Sequence, residues 1–338
     1  MNEIHLALYR KYRPQEFSDV VGQEQAITLL TSAIKQSKIS HAYLFCGGRG
    51  TGKTTVARIM AREIGCNDED IIEIDAASNR GIDEIRELRE AVRTTPFSSP
   101  YKVYIIDEAH MLTKEAANAL LKTLEEPPSH VVFILATTDP EKLPTTIVSR
   151  CQKIVFKQPD IETLTEHILH VTKKEGGAQI TNEGARSIAI QGKGSYRDAL
   201  GILEQILISA GKVAEITGEK IENYLGIPQE DELRGLLTAI CVKDSKKVLV
   251  IIERLRISNG QALRIYDQFI EFVRKGLLVR IGETESNDKE LNALVKEYPH
   301  TVGSKLVLEL LKKRHLLEVS DSHSWTAFES ILLALVEA

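Results

Sequence analysis

The stretch FCGGRGTGKTT, residues 45–55, limits what this chain can fold into more than any other. Its core fills every position of the pattern G-x-x-x-x-G-K-[ST]. The apolar run at residues 42–45 before it is typical of a buried strand, and we expect a helix to begin near Lys53. An ordinary glycine turn needs neither Lys53 nor Thr54 at these offsets. The sequence therefore predicts a phosphate-binding loop.

The residue types of this loop indicate what it binds. Glycines let successive backbone N–H groups point at a polyphosphate, and the positive end of the following helix adds to them. Lys53 is expected to reach the β- and γ-phosphates and to act in catalysis, and the Thr54 hydroxyl to bind Mg²⁺. The predicted nucleotide-binding residues are Gly47, Gly48, Arg49, Gly50, Thr51, Gly52, Lys53, Thr54 and Thr55.

Composition sets the limits on class and compartment. A chain of 338 residues with 43% hydrophobic and 27% charged residues is typical of a globular protein of two or three domains. The net charge of -5 argues against coating nucleic acid by bulk charge, so any DNA contact must be local or shared with partners. No early stretch resembles a secretion signal, and no apolar run approaches about 18 residues. We expect a cytoplasmic protein with no membrane contact.

Adjacent carboxylates follow another apolar run. Residues 103–106 read as a buried strand and lead into Asp107 and Glu108. Ligands of parallel sheets sit at the carboxyl ends of the strands, so we expect Asp107 to hold Mg²⁺ and Glu108 to polarise the attacking water. The alternative, a helix-capping acidic pair, would be a serious rival without the phosphate loop upstream.

Two further segments carry candidate nucleotide contacts. The strand predicted at residues 131–135 ends near Thr138, which we prefer over Thr137 as a sensor of the γ-phosphate; a plain strand-end turn is the alternative. The aromatic and basic segment at residues 9–14, with the later Val21, could hold an adenine ring through residues such as Tyr9 and Arg10. A chain terminus packed on the domain surface explains that segment equally well.

Two arginines further along leave their roles open. Arg150, in Ser149-Arg150-Cys151, is either a surface residue or a finger donated to a neighbouring subunit's nucleotide. Arg197 falls in the first turn of a predicted helix, where a cation is unfavourable beside the positive helix end. That placement favours an anionic partner such as a phosphate, with a salt bridge as the alternative. From residue 226 onwards, amphipathic helices predict either an oligomerisation block or a self-contained helical domain.

Taken together, these motifs resemble the bacterial clamp-loader ATPases, the γ/τ-type subunits of DNA polymerase III. The resemblance covers residues 7–225 densely and the helical remainder only by architecture. Its segments are YRKYRP from Tyr9, GGRGTGKTT from Gly47, EIDAASNRG from Glu73, DEAHML from Asp107, LLKTLEEPP from Leu120, LATTDPEKLP from Leu135, SRC from Ser149 and GSYRDAL from Gly194.

This resemblance implies an α/β plus all-α fold: a AAA+ parallel-sheet domain at residues 1–158, a helical lid at 159–225 and a helical collar at 226–338. It implies Thr138 as first sensor, Arg197 as second sensor and Arg150 as a finger acting in trans. The implied function is ATP-driven loading of the sliding clamp onto primer-template DNA. The implied partners are δ, δ′ and further γ/τ copies.

One departure concerns metal. The family normally carries a four-cysteine zinc module where residues 65–70 here bridge the gap directly, and the four cysteines of this chain include no C-x-x-C pair. We therefore predict no zinc. Arg80 and Arg86 are candidates for DNA contact, with exposed ion pairs as the alternative. Phe97, in the loop at residues 94–100, is the candidate for touching the clamp.

Two rival functions remain at this stage. The first is a structural subunit that binds nucleotide, hydrolyses little and positions other subunits. The second is a AAA+ remodeller of recombination intermediates, against which the SRC and AASN segments argue.

Overall fold

The computed structural model describes residues 6–78, 81, 87–88, 90–176, 179–210, 215–257, 261–282, 288–318 and 323–337. The chain divides into two compact units, Met1–Ile216 and Thr217–Ala338. The finer division into sheet domain, lid and collar stays a prediction.

A five-stranded parallel sheet is the centre of the first unit. Its strands, rich in β-branched and aromatic residues, lie in the order β2-β3-β4-β1-β5. They are β1 (Ala42–Gly47), β2 (Ile71–Asp75), β3 (Lys102–Asp107), β4 (Val131–Thr137) and β5 (Gln152–Phe156). Because β1 and β3 both pair with β4, the phosphate loop after β1 and the carboxylates after β3 emerge at the same edge of the sheet.

Helices flank this sheet and form the region that follows it. The first four are α1 (Leu8–Lys11), α2 (Glu24–Lys35), α3 (Lys53–Glu63) and α4 (Lys114–Glu125), followed by α5 (Thr145–Val148), α6 (Ile161–Glu175), α7 (Asn182–Gln191) and α8 (Tyr196–Ala210). Short 3₁₀ turns lie at Phe17–Asp19, Asp68–Asp70, Ala109–Met111 and Pro140–Lys142. Strands β6 (Gln179–Ile180) and β7 (Glu215–Ile216) form a small parallel pair.

Side chains alternate between two cores on opposite faces of the sheet. Tyr43 and Phe45 of β1 pack with Met60 of α3 on one face, whereas Leu44 packs with Leu120 of α4 on the other. All five are fully buried. Burial on both faces explains why these strands read as continuous apolar runs in the sequence.

The second unit is helical throughout its described residues, as the pattern predicted. Its helices are α9 (Gly218–Leu225), α10 (Glu230–Cys241), α11 (Ser245–Ile257), α12 (Ala262–Ile281), α13 (Lys289–Glu297), α14 (Ser304–Lys313) and α15 (Ser324–Glu337), with a 3₁₀ turn at Arg314–Leu317. The long helix α12 supplies Tyr266 and Phe269 to one core, where the Tyr266 ring meets Phe328 edge to face. None of the described helices is both long and apolar enough to cross a membrane.

Candidate nucleotide-binding site

A cavity of about 700 Å³ opens beside the carboxyl ends of β1 and β3. Cavities of roughly 300–1,000 Å³ hold ligands the size of a nucleotide. Its lining combines the phosphate loop from Arg49 onwards, the carboxylates Asp107 and Glu108, the segment that contains α1, and Arg197 from α8. Residues from four distant parts of the sequence therefore meet in one place.

The loop between β1 and α3 has the shape its glycines predict. Gly50 and Gly52 have φ of 69° and 99°, in the left-handed region that favours glycine. A Cβ on Gly47 would lie 2.4 Å from the Phe156 carbonyl oxygen, and one on Gly50 would lie 2.0 Å from Ser195 Oγ. Glycine at these two positions therefore lets the loop pack closely against β5 and against Ser195, while the positive φ values give the backbone the tight curve of a phosphate-binding loop.

Lys53 lies at the start of α3 with only 6% of its surface exposed. Its Nζ donates hydrogen bonds to the carbonyl oxygens of Gly47 at 2.9 Å and of Gly48 at 2.8 Å. Burial lowers the pKa of Lys53, while the charges of Glu108 and Asp107 act in the opposite direction. The ammonium is thus held within the loop, beside two carboxylates.

The Thr54 hydroxyl donates a hydrogen bond to Asp107 Oδ2 at 2.7 Å. These two oxygens belong to residues 53 positions apart, and the pairing of the strands brings them together. Magnesium prefers hard oxygen ligands such as hydroxyls and carboxylates. The donor set therefore fits the predicted Mg²⁺ site.

Glu108 follows Asp107 in a strained backbone conformation. Its φ of 48° and ψ of 44° lie in the left-handed region, which is uncommon for a residue with a side chain. Thr138 Oγ1 donates to Glu108 Oε2 at 3.2 Å, and His110 Nδ1 lies 3.4 Å from the same oxygen. Of the two candidate threonines, Thr138 is the one bonded to Glu108, whereas the Thr137 hydroxyl contacts His110 Nδ1 at 3.0 Å.

The other end of the cavity is aromatic and aliphatic. Tyr9, Arg10 and Val21 all line it, as the hypothesis of a base-binding edge requires. The guanidinium carbons of Arg10 and Arg197 each lie 5.8 Å from the centre of the Tyr9 ring. Cation–π contact of this kind orients an arginine without neutralising it.

Arg13 also lines this cavity, although the sequence did not single it out. Arg13 Nε donates to Thr55 Oγ1 at 3.0 Å, which holds its guanidinium near the first turn of α3. Burial and the positive charge of Arg58 lower the pKa of Arg13. Arg58 is paired with Glu73, but Arg13 has no carboxylate partner among the described residues. The basic segment at residues 9–14 was the available signal, although it does not say which side chain turns inward.

Two residues of the helical region were also missed. His167 of α6 and Tyr196 of α8 line the cavity, with ring centroids 5.2 Å apart and ring planes at 81°. Burial, with smaller effects of His170 and Lys174, lowers the pKa of His167 to about 4. The imidazole is therefore neutral at neutral pH. His167 within an amphipathic helix pattern that also contains His170 gave no sign of this placement.

Arg150 lies apart from the residues that line the cavity in the described part of the chain. Its guanidinium donates to Glu125 Oε1 at 2.6 Å and to the Thr146 carbonyl oxygen at 2.8 Å. The cavity is lined by Lys53, Thr54, Asp107, Glu108 and Arg197, and Thr138 is connected to it through its bond to Glu108, whereas Arg150 is not part of this group.

Phe97 projects from its loop with 82% of its surface exposed. The loop is anchored by Asp70, which is buried and accepts backbone N–H groups of Phe97 at 2.6 Å, Ser98 at 3.0 Å and Ser99 at 3.1 Å. The direct bridge at residues 65–70 thus fixes the base of this loop. Arg80 and Arg86 lie outside the described residues.

No group of three or more His, Cys, Asp or Glu is arranged to hold a metal ion within the described ranges. The prediction that the chain binds no zinc stays a prediction. Cys66, the last possible remnant of a zinc module, is buried and its Sγ lies 3.1 Å from the Tyr101 carbonyl oxygen. Burial raises the pKa of this thiol to about 11, so it is not a ready metal ligand.

Comparison with known sequences places these features in context. A family model described as DNA polymerase III, delta subunit, matches residues 22–80 and 67–160. The chain is 45% identical to DNA polymerase III subunit tau of Bacillus subtilis, covering 98% of this chain and 63% of that protein. It is 38% identical to subunit tau of Escherichia coli, covering 91% of this chain and 48% of that one. The chain thus spans about half to two thirds of these tau proteins.

Subunit gamma of Buchnera aphidicola (Schizaphis graminum) is 38% identical, with 98% of both chains covered. Among solved structures, Thermotoga maritima RuvB, a Holliday junction branch migration motor, has a TM-score of 0.53 at 21% identity. That match covers 68% of this chain and 79% of RuvB. It shows a shared fold, and with the parallel sheet and the helical second unit it confirms the predicted α/β plus all-α fold class.

Proposed function

This chain belongs to the tau/gamma family of DNA polymerase III subunits, and from that premise we propose that it is an ATP-hydrolysing motor subunit of a clamp loader. It would couple ATP binding and hydrolysis to placing a ring-shaped sliding clamp on primer-template DNA. The observation that carries the proposal is the contact of Thr54 with Asp107 beside the contact of Thr138 with Glu108, at the mouth of one phosphate loop.

Each of these residues has a defined task in the proposal. Bound ATP and Mg²⁺ would supply the phosphoryl group and the charge that polarises it. Lys53 and the loop backbone bind the phosphates, while Thr54 and Asp107 hold the metal. Glu108 would orient the attacking water. The Thr138 hydroxyl would hold the Glu108 carboxylate in position until the γ-phosphate of ATP is bound. Arg197 reaches the phosphates from α8.

Arg150 completes the neighbouring subunit's site in this proposal. Its side chain is one third exposed, and its partner Glu125 is about half exposed. An ion pair at the surface contributes at most about 1 kcal/mol, so Arg150 can exchange Glu125 for a phosphate of an adjacent subunit. Hydrolysis would then depend on assembly, since arginine fingers contribute roughly 10³ to 10⁵ in rate.

The proposed partners are δ and δ′ subunits, further copies of γ/τ chains, the sliding clamp and primer-template DNA, all in the cytoplasm. We propose that Phe97 contacts the clamp, because its loop is held by the hydrogen bonds to Asp70 while its ring is exposed. Arg80 and Arg86 stay candidates for DNA phosphates.

The rival of a recombination motor has one observation in its favour, the shared fold with RuvB. At 21% identity that likeness speaks for the fold alone, whereas relatives at 38–45% identity are polymerase III subunits. The other rival is a subunit that binds nucleotide, hydrolyses little and positions other subunits. A measurement of ATP hydrolysis distinguishes it from a motor subunit.

The test is steady-state ATPase of the chain reconstituted with its sister subunits, with and without clamp and primed DNA. We expect clamp and primed DNA together to stimulate hydrolysis, and Glu108→Gln to lower the stimulated rate by about 10²–10⁴-fold. Glu115→Gln, an exposed change in the first turn of α4, is the matched control. An unchanged rate in Glu108→Gln would remove the motor assignment, and stimulation by branched DNA without clamp would favour the recombination rival.

A further inference from the structure

Gly22 and Gly50 lie in distant segments, and each leaves room for one of two adjacent lid residues: Gly22 for Tyr196 and Gly50 for Ser195. A Cβ on Gly50 of the phosphate loop would lie 2.0 Å from Ser195 Oγ. A Cβ on Gly22 would lie 2.9 Å from the Tyr196 hydroxyl oxygen. Both glycines have positive φ, at 69° and 73°. The start of α8 is therefore seated in a space that side chains at these positions would close.

Hydrogen bonds reinforce this seat on both sides. The Tyr196 hydroxyl donates to the Val21 carbonyl oxygen at 2.9 Å, and the Tyr196 backbone N–H donates to the Gly50 carbonyl oxygen at 3.1 Å. One residue thus joins the lid to both the base edge and the phosphate loop. Burial raises the pKa of Tyr196, so its hydroxyl stays protonated and remains a donor.

The neighbours of Tyr196 show what this attachment places. Arg197 follows it directly and lines the cavity, with its guanidinium carbon 5.8 Å from the Tyr9 ring. Leu200, one turn further along α8, also lines the cavity. The His167 ring supports the Tyr196 ring from the side at 5.2 Å. Whatever fixes Tyr196 therefore fixes the part of α8 that faces the nucleotide.

We propose that Tyr196 is a positioning residue that latches the lid onto the Gly22 and Gly50 segments and so sets Arg197 toward the nucleotide. This inference rests on the nucleotide-binding part of the proposed function. Tyr196 acts through α8 and does not take part in the chemistry. Loss of the latch lowers the fraction of molecules whose cavity is complete, and the apparent affinity for ATP falls by that fraction.

Tyr196→Phe removes the hydroxyl and keeps the ring. We expect the dissociation constant for ATP to rise about five- to tenfold, as the loss of one hydrogen bond allows. We also expect faster amide hydrogen exchange across residues 195–200 without nucleotide, with protection restored at saturating ATP. Tyr43→Phe is the control, because it removes another tyrosine hydroxyl that bonds the backbone, one that accepts from the Ser40 N–H in a different part of the sheet domain. It should change neither quantity at residues 195–200.

The two measurements separate failure of this inference from failure of the proposed function. If the wild-type chain binds ATP but Tyr196→Phe matches it in both affinity and exchange, the latch is wrong. If the wild-type chain fails to bind ATP, the proposed function is wrong, and the exchange rates alone then decide the latch. Tyr196→Leu, which also removes the ring edge against His167, should exceed Tyr196→Phe in both effects; equal or smaller effects would contradict the support assigned to His167.

Discussion

The guanidinium of Arg150 lies 2.6 Å from the Glu125 carboxylate at the C-terminal end of α4, with its second nitrogen on the Thr146 carbonyl oxygen. The ion pair thus joins the segment that contains Thr146 and Arg150 to the end of α4. The pair stabilises this position of the Arg150 side chain only weakly, since surface ion pairs contribute at most about 1 kcal/mol.

Arg150→Ala subunits mixed with wild-type subunits should lower hydrolysis at neighbouring sites by about 10³-fold or more, because the finger's charge is lost in trans. Binding of ATP to the mutant's own site should stay within about twofold. ATPase measured across mixing ratios, with nucleotide binding measured in parallel, checks both. Arg186→Ala, which removes another exposed arginine paired with a glutamate, is the control. Full hydrolysis in the mixtures would refute the finger.

Arg13→Gln should weaken ATP and ADP binding about tenfold and leave adenosine binding unchanged. Charge-assisted hydrogen bonds to phosphate are about twice as strong as neutral ones. The Arg13 guanidinium lies at the first turn of α3, where it bonds the neutral Thr55 hydroxyl and has no carboxylate partner among the described residues. Calorimetric titration with the three ligands gives the comparison. Arg62→Gln, in α3 and paired with the exposed Asp68, is the control. An equal loss for adenosine would mean that Arg13 shapes the fold and not phosphate binding.

Asp70→Asn should lower the free energy of unfolding by about 2–3 kcal/mol, since a buried carboxylate that accepts three N–H groups loses charge and one acceptor. Urea denaturation of both forms measures the difference. Asp68→Asn, at an exposed neighbour, should cost less than about 1 kcal/mol. Equal losses of stability in the two variants would show that the three hydrogen bonds to Asp70 do not account for its contribution.

The same carboxylate should contribute to acid sensitivity. Burial alone would raise the pKa of Asp70, but the N–H groups of Phe97, Ser98 and Ser99 prevail and lower it. The folded state then binds this proton less tightly than the unfolded state, so the stabilisation is present above the ordinary carboxyl pKa near 4 and is lost as pH falls through the lowered value. Asp70→Asn should show a shallower loss of stability below pH 4 than wild type, and an identical slope would contradict this.

His167 should make the chain less stable in moderate acid. Its pKa is about 4 in the folded protein against about 6.5 unfolded, so the unfolded state takes up the proton first. Stability is fully retained above about pH 6.5 and falls by at most about 3 kcal/mol as pH drops toward 4. Denaturation midpoints between pH 4 and 7 measure this loss. His167→Gln should flatten that part of the profile, whereas an unchanged profile would show that the imidazole is not kept neutral by the fold.

Much of the sheet and of the phosphate end of the site could be predicted because their signals are local. The strands β1, β3 and β4 are short apolar runs, and each leads into candidate site residues: Lys53 lies after the loop that follows β1, Asp107 ends β3, and Thr138 follows β4. Sheet topology then brings these ends together. The strands extend one or two residues beyond the predicted runs because polar strand ends still pair in the sheet.

Contacts between distant segments could not be predicted in the same way. Arg13 meets Thr55 across 42 residues and Tyr196 meets Val21 across 175, and neither spacing leaves a periodic pattern. Only the packed fold decides which side chain of a basic or helical segment turns toward a cavity. The sequence therefore predicted which segment forms the base end of the site, but not which of its side chains face the cavity.

Glu108 stands in a left-handed backbone conformation that costs a residue with a Cβ about 1–2 kcal/mol. Glycine would adopt the same turn without that penalty. The backbone at Glu108 therefore lowers folding stability at the position where the glutamate side chain extends from the end of β3 and bonds Thr138. A sequence optimised for thermal resistance alone would place glycine there, and it would gain stability by discarding the carboxylate that bonds Thr138.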